Sequence, residues 1–454
     1  MRITVVGDGK VGHTVAENLS LEGHDVVIVD RNEDVLQRSE DTLDVLCVQG
    51  NGANAQTLLA AGAERCDMII AATTNDETNM LCCLVGKRLG TKYAIARIRD
   101  PEYHESLFLL QKELGIDMVI NPERATALEI SRLLRFPFAD GIESFAKGNV
   151  EMVAFHVHTN DVIVGHPLKF LKQKLHGIPQ VLYCAILRSD QIIIPNGDTV
   201  IEADDRVHVA SDIATITAYF RFLGRAALRI KGVMLLGGGR ISYYLAKLII
   251  PMGIRVSIIE IDEQKATLLA ESLPDANVIL GDGSDQELLE QEGLPEMDAF
   301  IALSNRDEEN LITGLYALHL QVPKVIVKNN RVAYANIFGA MGLDSIISPK
   351  SITCDVILRY IRAQAGSEGT PVEKLYRLMD GRAEALEFVA HAGNSYIGVP
   401  LHSLTMRTGT LVAVIVRNGK VIVPFGNDHI EPGDSVVIIS SESGIVDLNE
   451  VIFR

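Results

Sequence analysis

The sequence predicts an α/β protein made of two tandem doubly wound parallel sheets, each followed by a small β-rich α+β domain. Three observations support this: most of the 454 residues belong to an internal repeat, the first part of each copy alternates short apolar runs with amphipathic segments, and the second part is rich in strands and turns. Continuous apolar runs are typical of strands covered on both faces, and the segments between them are long enough for crossover helices. The four domains are expected at 1–135, 140–220, 230–362 and 370–454.

The repeat is visible when the sequence is aligned with itself. VVGDGKVG aligns with LLGGGRIS, which places Gly7 over Gly237, and VVIVD ending at Asp30 aligns with VSIIE ending at Glu260. The register continues through TTNDETNML and SNRDEENLI, and through GIDMVINPERATALEISRLLR and GLDSIISPKSITCDVILRYIR. A repeat of this length determines the architecture before any single motif is interpreted.

The elements of the first copy follow from apolar periodicity. Beyond the helix expected at 123–134 the pattern becomes strand-rich, with hairpin markers RSDQ in one copy and RNGK in the other. Linkers are expected near 136–150, 221–231 and 363–383. Strands of the first parallel sheet are predicted at 3–6, 25–29, 44–48, 68–72, 93–98 and 117–120, with helices between them.

Composition narrows the functional classes. A net charge of −17 argues against a nucleic-acid partner, which would require a basic surface, and against direct attraction to an anionic membrane. The chain starts with a strand rather than a signal peptide, so a cytoplasmic location is expected. No apolar stretch reaches the ~20 residues of a spanning helix. The six cysteines show no metal spacing and are expected to be reduced and mostly buried; a redox switch at Cys82 and Cys83 is the alternative.

The segment GDGKVG has the spacing of a dinucleotide-binding loop. Gly7 allows the tight turn, Gly9 lets the backbone approach a pyrophosphate, and Gly12 lets the next helix pack closely on the strand. Amide groups at the start of that helix favour negative charge. Asp30, at the end of the second strand, is placed to accept hydrogen bonds from an adenosine ribose, which favours NAD over NADP. The alternative is a glycine turn in a domain that binds no nucleotide.

Other candidates lie at strand ends, because ligands bind outside the carboxyl ends of a parallel sheet. Small hydroxyl groups and one cation suit the phosphates and riboses of a cofactor, although two threonines could instead cap a helix. These candidates are Asn51, Gly52, Thr73, Thr74 and Arg97.

The second copy is an altered version of the first. Ser242 replaces the third glycine and Glu260 replaces Asp30, so we expect weaker binding or a purely structural site. Its remaining candidates are Gly237, Gly238, Gly239, Arg240, Asp282, Ser304 and Lys328.

The chain offers weak candidates for catalysis. Tyr243 and Lys247 have a Tyr-x-x-x-Lys spacing, but they lie in the helix that leaves the glycine loop. His156 and His158 could share a strand face, yet two ligands without a third more often form a polar face than a metal site. We therefore expect no catalytic residue and no metal site, with an NAD-dependent oxidoreductase of unknown substrate as the competing class.

The motifs resemble the RCK/KTN domains that regulate potassium transport. The resemblance rests on the two copies of a GxGxxG, acid, GxG, [TS]xxDExN and [RK] series, each followed by a β-rich domain with an IGxPL-like pattern. It implies a regulator that binds NAD(H), with ATP and ADP as further candidate ligands. The partner implied is a TrkH-like potassium-translocating subunit at the cytoplasmic face of the membrane, where the regulator would lie peripherally.

By the same resemblance, the α/β domains assemble into a ring, and a homodimer would supply four of them. The β-rich domains would pair or bind a second small ligand. A structural assembly module with vestigial loops is the third class that we keep open. The resemblance adds Asp8, Lys10 and Val11 to the candidates of the first cleft. In the second cleft it adds Ile241, so that the whole of 237–241 is included.

Overall fold

The computed structural model confirms the predicted fold class, with two parallel α/β sheets that are each followed by an antiparallel sheet. The description that follows covers residues 1–103, 111–189, 191–225, 230–330, 338, 341–343, 345–365, 372–378, 382–445 and 447–453.

The first α/β domain contains six parallel strands. They are β1 (Arg2–Val6), β2 (Asp25–Asp30), β3 (Leu46–Gln49), β4 (Met68–Ala71), β5 (Tyr93–Arg97) and β6 (Met118–Ile120). The helices are α1 (Lys10–Leu21), α2 (Glu33–Thr42), α3 (Ala55–Ala60), α4 (Asp76–Leu89) and α5 (Pro122–Arg135). The strand order β3-β2-β1-β4-β5-β6 reverses between β1 and β4, which opens a crevice at their carboxyl ends.

The first β-rich domain contains a five-stranded antiparallel sheet. Its strands are β7 (Gly141–Phe145), β8 (Val150–His156), β9 (Leu182–Arg188), β10 (Gln191–Ile193) and β11 (Arg206–Ser211). Their order in the sheet is β10-β9-β11-β8-β7. Two helices accompany it, α6 (Leu168–Lys174) and α7 (Ile213–Phe222). The predicted linker at 136–150 was wrong in this respect, because it contains β7. Only Ile142 and Phe145 of that strand are buried, so the strand has too few apolar residues to be predicted from periodicity.

The second α/β domain repeats the first. Its strands are β12 (Gly232–Leu236), β13 (Arg255–Glu260), β14 (Asn277–Leu280), β15 (Ala299–Ala302), β16 (Lys324–Lys328) and β17 (Ser345–Ile347). Its helices are α8 (Arg240–Ile249), α9 (Glu263–Ser272), α10 (Gln286–Gln291), α11 (Asp307–His319) and α12 (Pro349–Ala365). The order β14-β13-β12-β15-β16-β17 reproduces the same reversal and the same crevice.

The second β-rich domain also contains a five-stranded antiparallel sheet and a separate strand pair. Its strands are β18 (Val372–Leu378), β19 (Ala383–Val389), β20 (Thr405–Met406), β21 (Thr410–Arg417), β22 (Lys420–Ile422), β23 (Ser435–Ser440) and β24 (Ile452–Phe453). The sheet order is β18-β19-β23-β21-β22, and β20 pairs with β24. The prediction of a linker at 363–383 was wrong, because this segment contains β18.

The two copies exchange the helix that leaves each parallel sheet. Helix α5 packs against α8 of the second copy, and α12 packs against α1 of the first. Ile130 of α5 therefore shares a buried cluster with Val233 and Leu245, whereas Leu358 of α12 shares one with Val5. Each α/β domain thus completes its core with a helix from the other copy.

The β-rich sheets also pack on each other. Phe145 and Met152 of the first sheet lie in one buried cluster with Ala385 and Ile439 of the second. The four domains are consequently joined along two apolar interfaces within one chain.

A buried ion-pair network links three of the domains. Arg362 on α12 is 1% exposed and contacts Glu22, which follows α1, at 2.6 Å and Glu384 of β19 at 2.8 Å. A buried charge is costly unless it is paired. Arg362 therefore joins its own α/β domain to Glu22 of the first copy and to Glu384 of the second β-rich domain.

Within the part of the chain that is described, no helix has the length and the apolar composition that crossing a bilayer requires.

Replacing Arg362 with alanine is expected to destabilise the protein by about 3–5 kcal/mol, because it leaves the buried Glu384 carboxylate without its cation and leaves Glu22 with Arg377 alone. Thermal unfolding followed by circular dichroism measures this effect. Arg407→Ala is the matched control, since Arg407 forms an exposed pair with Glu442 and its loss should cost at most about 1 kcal/mol. Equal melting temperatures for the two variants would contradict the structural role of Arg362.

Candidate functional site

The first glycine loop connects β1 to α1 at the crevice of the first sheet. Gly7 has a φ of +99°, which favours glycine, and a Cβ atom on Gly12 would lie 1.8 Å from the carbonyl oxygen of Gly7. A Cβ atom on Gly9 would meet nothing within 4 Å. The first and third glycines are therefore required by the fold, whereas the second leaves open space beside the backbone.

Helix α1 begins at the crevice directly after the loop. Gly9 precedes α1 without a side-chain cap among the described residues, so the first-turn amides of the helix have no side-chain acceptor. These amides and the helix dipole together favour an anion at this position.

Asp30 borders the same loop from the end of β2. Its carboxylate accepts hydrogen bonds from the backbone amides of Asp8 at 2.7 Å and Asn32 at 2.9 Å. A carboxylate has about four acceptor positions, so two remain for hydroxyl groups of a ligand.

Most of the predicted residues of the first copy lie around one cavity of about 560 Å³. That volume suits a small-molecule or cofactor ligand. Gly12 is the exception, because it packs behind the loop. The predicted residues that line the cavity are Gly7, Asp8, Gly9, Lys10, Val11, Asp30, Asn51, Gly52, Thr73, Thr74 and Arg97.

Asn79 holds two sides of this cavity together, and the sequence analysis did not select it. Its side-chain oxygen accepts from the Thr73 amide at 2.9 Å and from the Thr73 hydroxyl at 2.6 Å, and its side-chain nitrogen donates to the Arg97 carbonyl at 2.8 Å. Asn310 makes the corresponding bonds to Ser304 and Lys328 in the second copy. The asparagine of the repeated DExN pattern was the available signal.

The two threonines do not cap α4. Asn75 has that role, since its side chain accepts from the Thr78 amide at 2.6 Å. Thr73 instead binds Asn79, and Thr74 is exposed at the cavity edge with its carbonyl bound by Arg99.

Arg97 supplies positive charge at the base of the cavity. Its side chain is 15% exposed, its nearest carboxylate oxygen belongs to Glu123 at 3.8 Å, and its buried Nε lacks a hydrogen-bond acceptor within the described structure. Burial lowers the pKa of the Arg97 guanidinium, although arginine remains protonated at neutral pH. An anionic ligand would provide the missing acceptor.

The second glycine loop shares the positive φ and the uncapped helix start of the first, and its contacts differ. Gly237 has a φ of +96°, and Gly239 precedes α8 without a side-chain cap in the described chain. Ser242 is accommodated because its hydroxyl donates to the Gly237 carbonyl. The serine side chain therefore occupies a position that, in the first loop, lies too close to the Gly7 carbonyl oxygen for a side chain.

Side chains of the second copy cover its own loop. The Glu260 carboxylate accepts from the Gly238 amide at 2.7 Å and lies beside Leu269 over that glycine. Lys328 donates to the Leu303 carbonyl at 3.2 Å and to Asn305 at 3.3 Å, and burial lowers the pKa of its ammonium group. The cation that corresponds to Arg97 is thus turned toward its own backbone.

Four predicted residues of the second copy line one cavity, and the others do not. The four are Gly239, Arg240, Ile241 and Lys328. Asp282 is exposed and binds Ser284, while Arg240 extends to Asp100 of the first copy at 3.5 Å. Ile241 is largely buried, and Ser304 follows β15, where its amide donates to the Asn310 side chain.

A cation-rich cavity of about 340 Å³ lies between the two glycine loops. It brings positive charge from both copies to one place in a protein whose net charge is −17. Anions with several phosphate groups match this chemistry. Its charged lining residues are Lys10, Arg97, Arg99, Glu123, Arg240, Lys328 and Lys350.

The other sequence candidates do not form sites. Strand β8 ends at His156, so His158 does not share its face, and no cluster that could hold a metal ion occurs among the described residues. The Lys247 ammonium lies over the Tyr243 ring at 4.8 Å. Cys82 and Cys83 are buried, and burial raises the pKa of Cys82 to about 12, which does not favour a reactive thiol.

Family models match both copies of the chain. The TrkA-N domain matches residues 3–122 and 233–349, and the TrkA-C domain matches residues 152–224 and 385–452.

Relatives match over nearly the whole length. The chain is 34% identical to the Trk system potassium uptake protein TrkA of Vibrio alginolyticus over 100% of this chain and 99% of that protein. It is 33% identical to the Trk system potassium uptake protein TrkA homolog 1 of Methanosarcina mazei, with 98% of each chain covered. A solved structure of the GsuK channel bound to NAD shares the fold, with a TM-score of 0.63 and 18% identity over 97% of this chain and 76% of that chain.

Gly12→Ala is expected to destabilise the protein by about 1–3 kcal/mol, because the new methyl group would collide with the Gly7 carbonyl. Thermal unfolding of the full chain measures the change. Gly9→Ala is the control, since open space surrounds that position and its effect should stay within about 0.5 kcal/mol. A Gly12→Ala protein as stable as the Gly9→Ala protein would show that the loop relaxes around the methyl group.

Proposed function

The chain belongs to the TrkA family of Trk system potassium uptake proteins, and on this premise we propose that it is a nucleotide-sensing regulatory subunit that binds NAD(H) and gates a membrane potassium-uptake protein. The observation that carries the proposal is the first cavity, where uncapped loop amides, the Asp30 carboxylate and the Arg97 guanidinium surround one space.

NAD fits this set of groups better than NADP. The loop amides would bind the pyrophosphate, and Asp30 would accept hydrogen bonds from the adenosine ribose hydroxyls. A 2′-phosphate would instead bring further negative charge beside the Asp30 carboxylate. Arg97, whose buried Nε has no acceptor among the described residues, would compensate ligand charge in the cavity.

ATP and ADP are further proposed ligands. The cavity between the loops offers cations from both copies, including Lys10, Arg240 and Lys350, to a chain of phosphates that extends beyond one cleft. The second cleft is proposed to bind more weakly than the first, because Glu260 and Leu269 cover Gly238 and Lys328 is engaged by its own backbone.

The proposed assembly is a homodimer whose four α/β domains form a ring below a TrkH-like membrane subunit. One chain already pairs two α/β domains through exchanged helices, so two chains would provide a closed set of four. The protein would then lie on the cytoplasmic face of the membrane and be held there by its protein partner.

Gating requires that nucleotides bind two shapes of the assembly with different affinity. A difference of about 1.4 kcal/mol changes the ratio of the two shapes tenfold. NAD, NADH, ATP and ADP differ in charge and length, and both properties matter in a cleft that continues into a cation-rich cavity.

Asp30→Ala is expected to weaken NAD binding at least ~tenfold, because hydrogen bonds to a charged acceptor contribute about 1.5–3 kcal/mol each. Isothermal titration calorimetry of the full chain measures the affinity. Glu260→Ala is the matched control and should leave the first, tighter binding event unchanged. Unchanged affinity in Asp30→Ala would argue for a vestigial loop.

Potassium flux tests the regulatory role. Vesicles that contain the membrane subunit should take up potassium at different rates when this protein is added with NAD, NADH, ATP or ADP, and Asp30→Ala should reduce the response to NAD. Identical flux with every nucleotide would contradict gating. Turnover of NAD with a small substrate would instead support an oxidoreductase.

A further inference from the structure

A cluster of three polar side chains lies directly behind the first glycine loop. The Ser39 hydroxyl on α2 donates to the Asp8 carboxylate at 2.6 Å, and Nδ1 of His13 on α1 lies 2.9 Å from the Ser39 oxygen and 3.3 Å from Asp8. Ser39 is fully buried and the Asp8 side chain is 1% exposed. The cluster therefore ties the second residue of the loop to both flanking helices.

The hydrogen-bond network assigns the proton positions. Because the only hydroxyl hydrogen of Ser39 goes to Asp8, its oxygen accepts from His13, and Nδ1 of His13 carries a hydrogen. Nε2 is then the nitrogen that gains or loses a proton, and the imidazole is 38% exposed, which gives solvent access. Ser39 and Asp8 both contact Nδ1 of His13. In a catalytic triad the nucleophile and the orienting acid contact different ring nitrogens, so this cluster is not a triad.

The cluster is absent from the second copy. The positions that correspond to Asp8, His13 and Ser39 hold Gly238, Tyr243 and Leu269. A Leu269 methyl carbon lies 3.1 Å from the place that a Cβ atom on Gly238 would occupy, so an apolar side chain replaces the polar one. Between the two loops, only the first thus carries an aspartate that is hydrogen-bonded to a serine and a histidine of the neighbouring helices.

Charged groups of several elements surround His13. The hydrogen bond from the His13 ring to the Asp8 carboxylate is the main cause that raises the pKa of His13. Burial lowers this pKa, Glu17 raises it and Lys350 lowers it. His13 also lines a cavity of about 1120 Å³ between the copies. The other charged residues of that cavity are Lys10 and Arg38 from the first copy and Arg306, Asp307, Glu308 and Glu309 from the second.

We propose that Asp8 and His13 are positioning residues that make the first cleft bind nucleotides more tightly as the pH falls. Asp8 stands between Gly7 and Gly9, whose backbone the proposed pyrophosphate would approach, so its carboxylate opposes an anionic ligand. A protonated His13 cancels that charge. This inference rests on the proposed function and adds a regulation that belongs to one of the two sites.

The direction of the pH dependence follows from the coupling between nucleotide binding and protonation of His13. A bound anion favours the imidazolium form of His13, so binding takes up a proton, and affinity must fall as the pH rises through the pKa of His13. One unit charge within several ångströms of the ligand near the protein surface corresponds to about a threefold to tenfold change in affinity. The pyrophosphate and adenine of NAD do not titrate near neutral pH, so the ligand itself adds no such dependence.

Calorimetric titration with NAD between pH 6 and pH 8.5 tests the proposal, with each pH repeated in two buffers of different ionisation enthalpy to count protons. The wild-type chain should lose about threefold to tenfold in affinity across this range and take up a fraction of a proton. His13→Gln should bind at all pH values with the weaker affinity of the wild type at high pH. Asp8→Asn should bind at all pH values with at least the stronger affinity of the wild type at low pH.

The outcomes separate this inference from the function on which it rests. Failure to bind NAD at any pH would overturn the proposed function. NAD binding without pH dependence or proton uptake would overturn the role of Asp8 and His13 alone. A pH dependence that persists in His13→Gln would assign the titration to another group and would overturn it equally. Similar melting temperatures for the three proteins would exclude unfolding as the cause of any difference.

Discussion

The exchange of helices α5 and α12 is the contact on which the rest of the structure depends. Each parallel sheet leaves an apolar surface on and around its first helix, and the helix that covers it comes from the other copy. Neither copy can complete its core alone. Because the exchange is reciprocal, it also sets the two glycine loops on either side of one cation-rich cavity.

The same frame holds two different clefts. In both copies a buried asparagine connects the ends of two strands, and an acid at the end of the second strand accepts from a loop amide. The differences lie in side chains that the frame tolerates, chiefly Ser242 in place of Gly12 and Glu260 in place of Asp30. The duplication thus preserved the positions of the strand ends while the chemistry of the second cleft changed.

The helix exchange also connects the clefts. The Tyr244 hydroxyl on α8 donates to the Arg99 carbonyl at 3.0 Å, and Arg240 pairs with Asp100, so the second loop touches the strand end that borders the first cleft. Contacts of this kind can transmit a change at one cleft to the other, because packed side chains and hydrogen bonds carry energetic coupling between sites.

The sequence by itself determined the repeat, the parallel sheets and the residues of the first cleft, because glycine spacing, apolar runs and strand-end residues act through local geometry. Strands β7 and β18 were not predicted: β7 has only two buried residues, and charged residues interrupt the apolar residues of β18. Only the tertiary structure decided that α5 and α12 each pack against the other copy, that Asn79 hydrogen-bonds to Thr73 and that Lys328 donates to the Leu303 carbonyl. These features depend on contacts between surfaces that are distant in the sequence, and local patterns of residues do not reveal which surfaces will pack together.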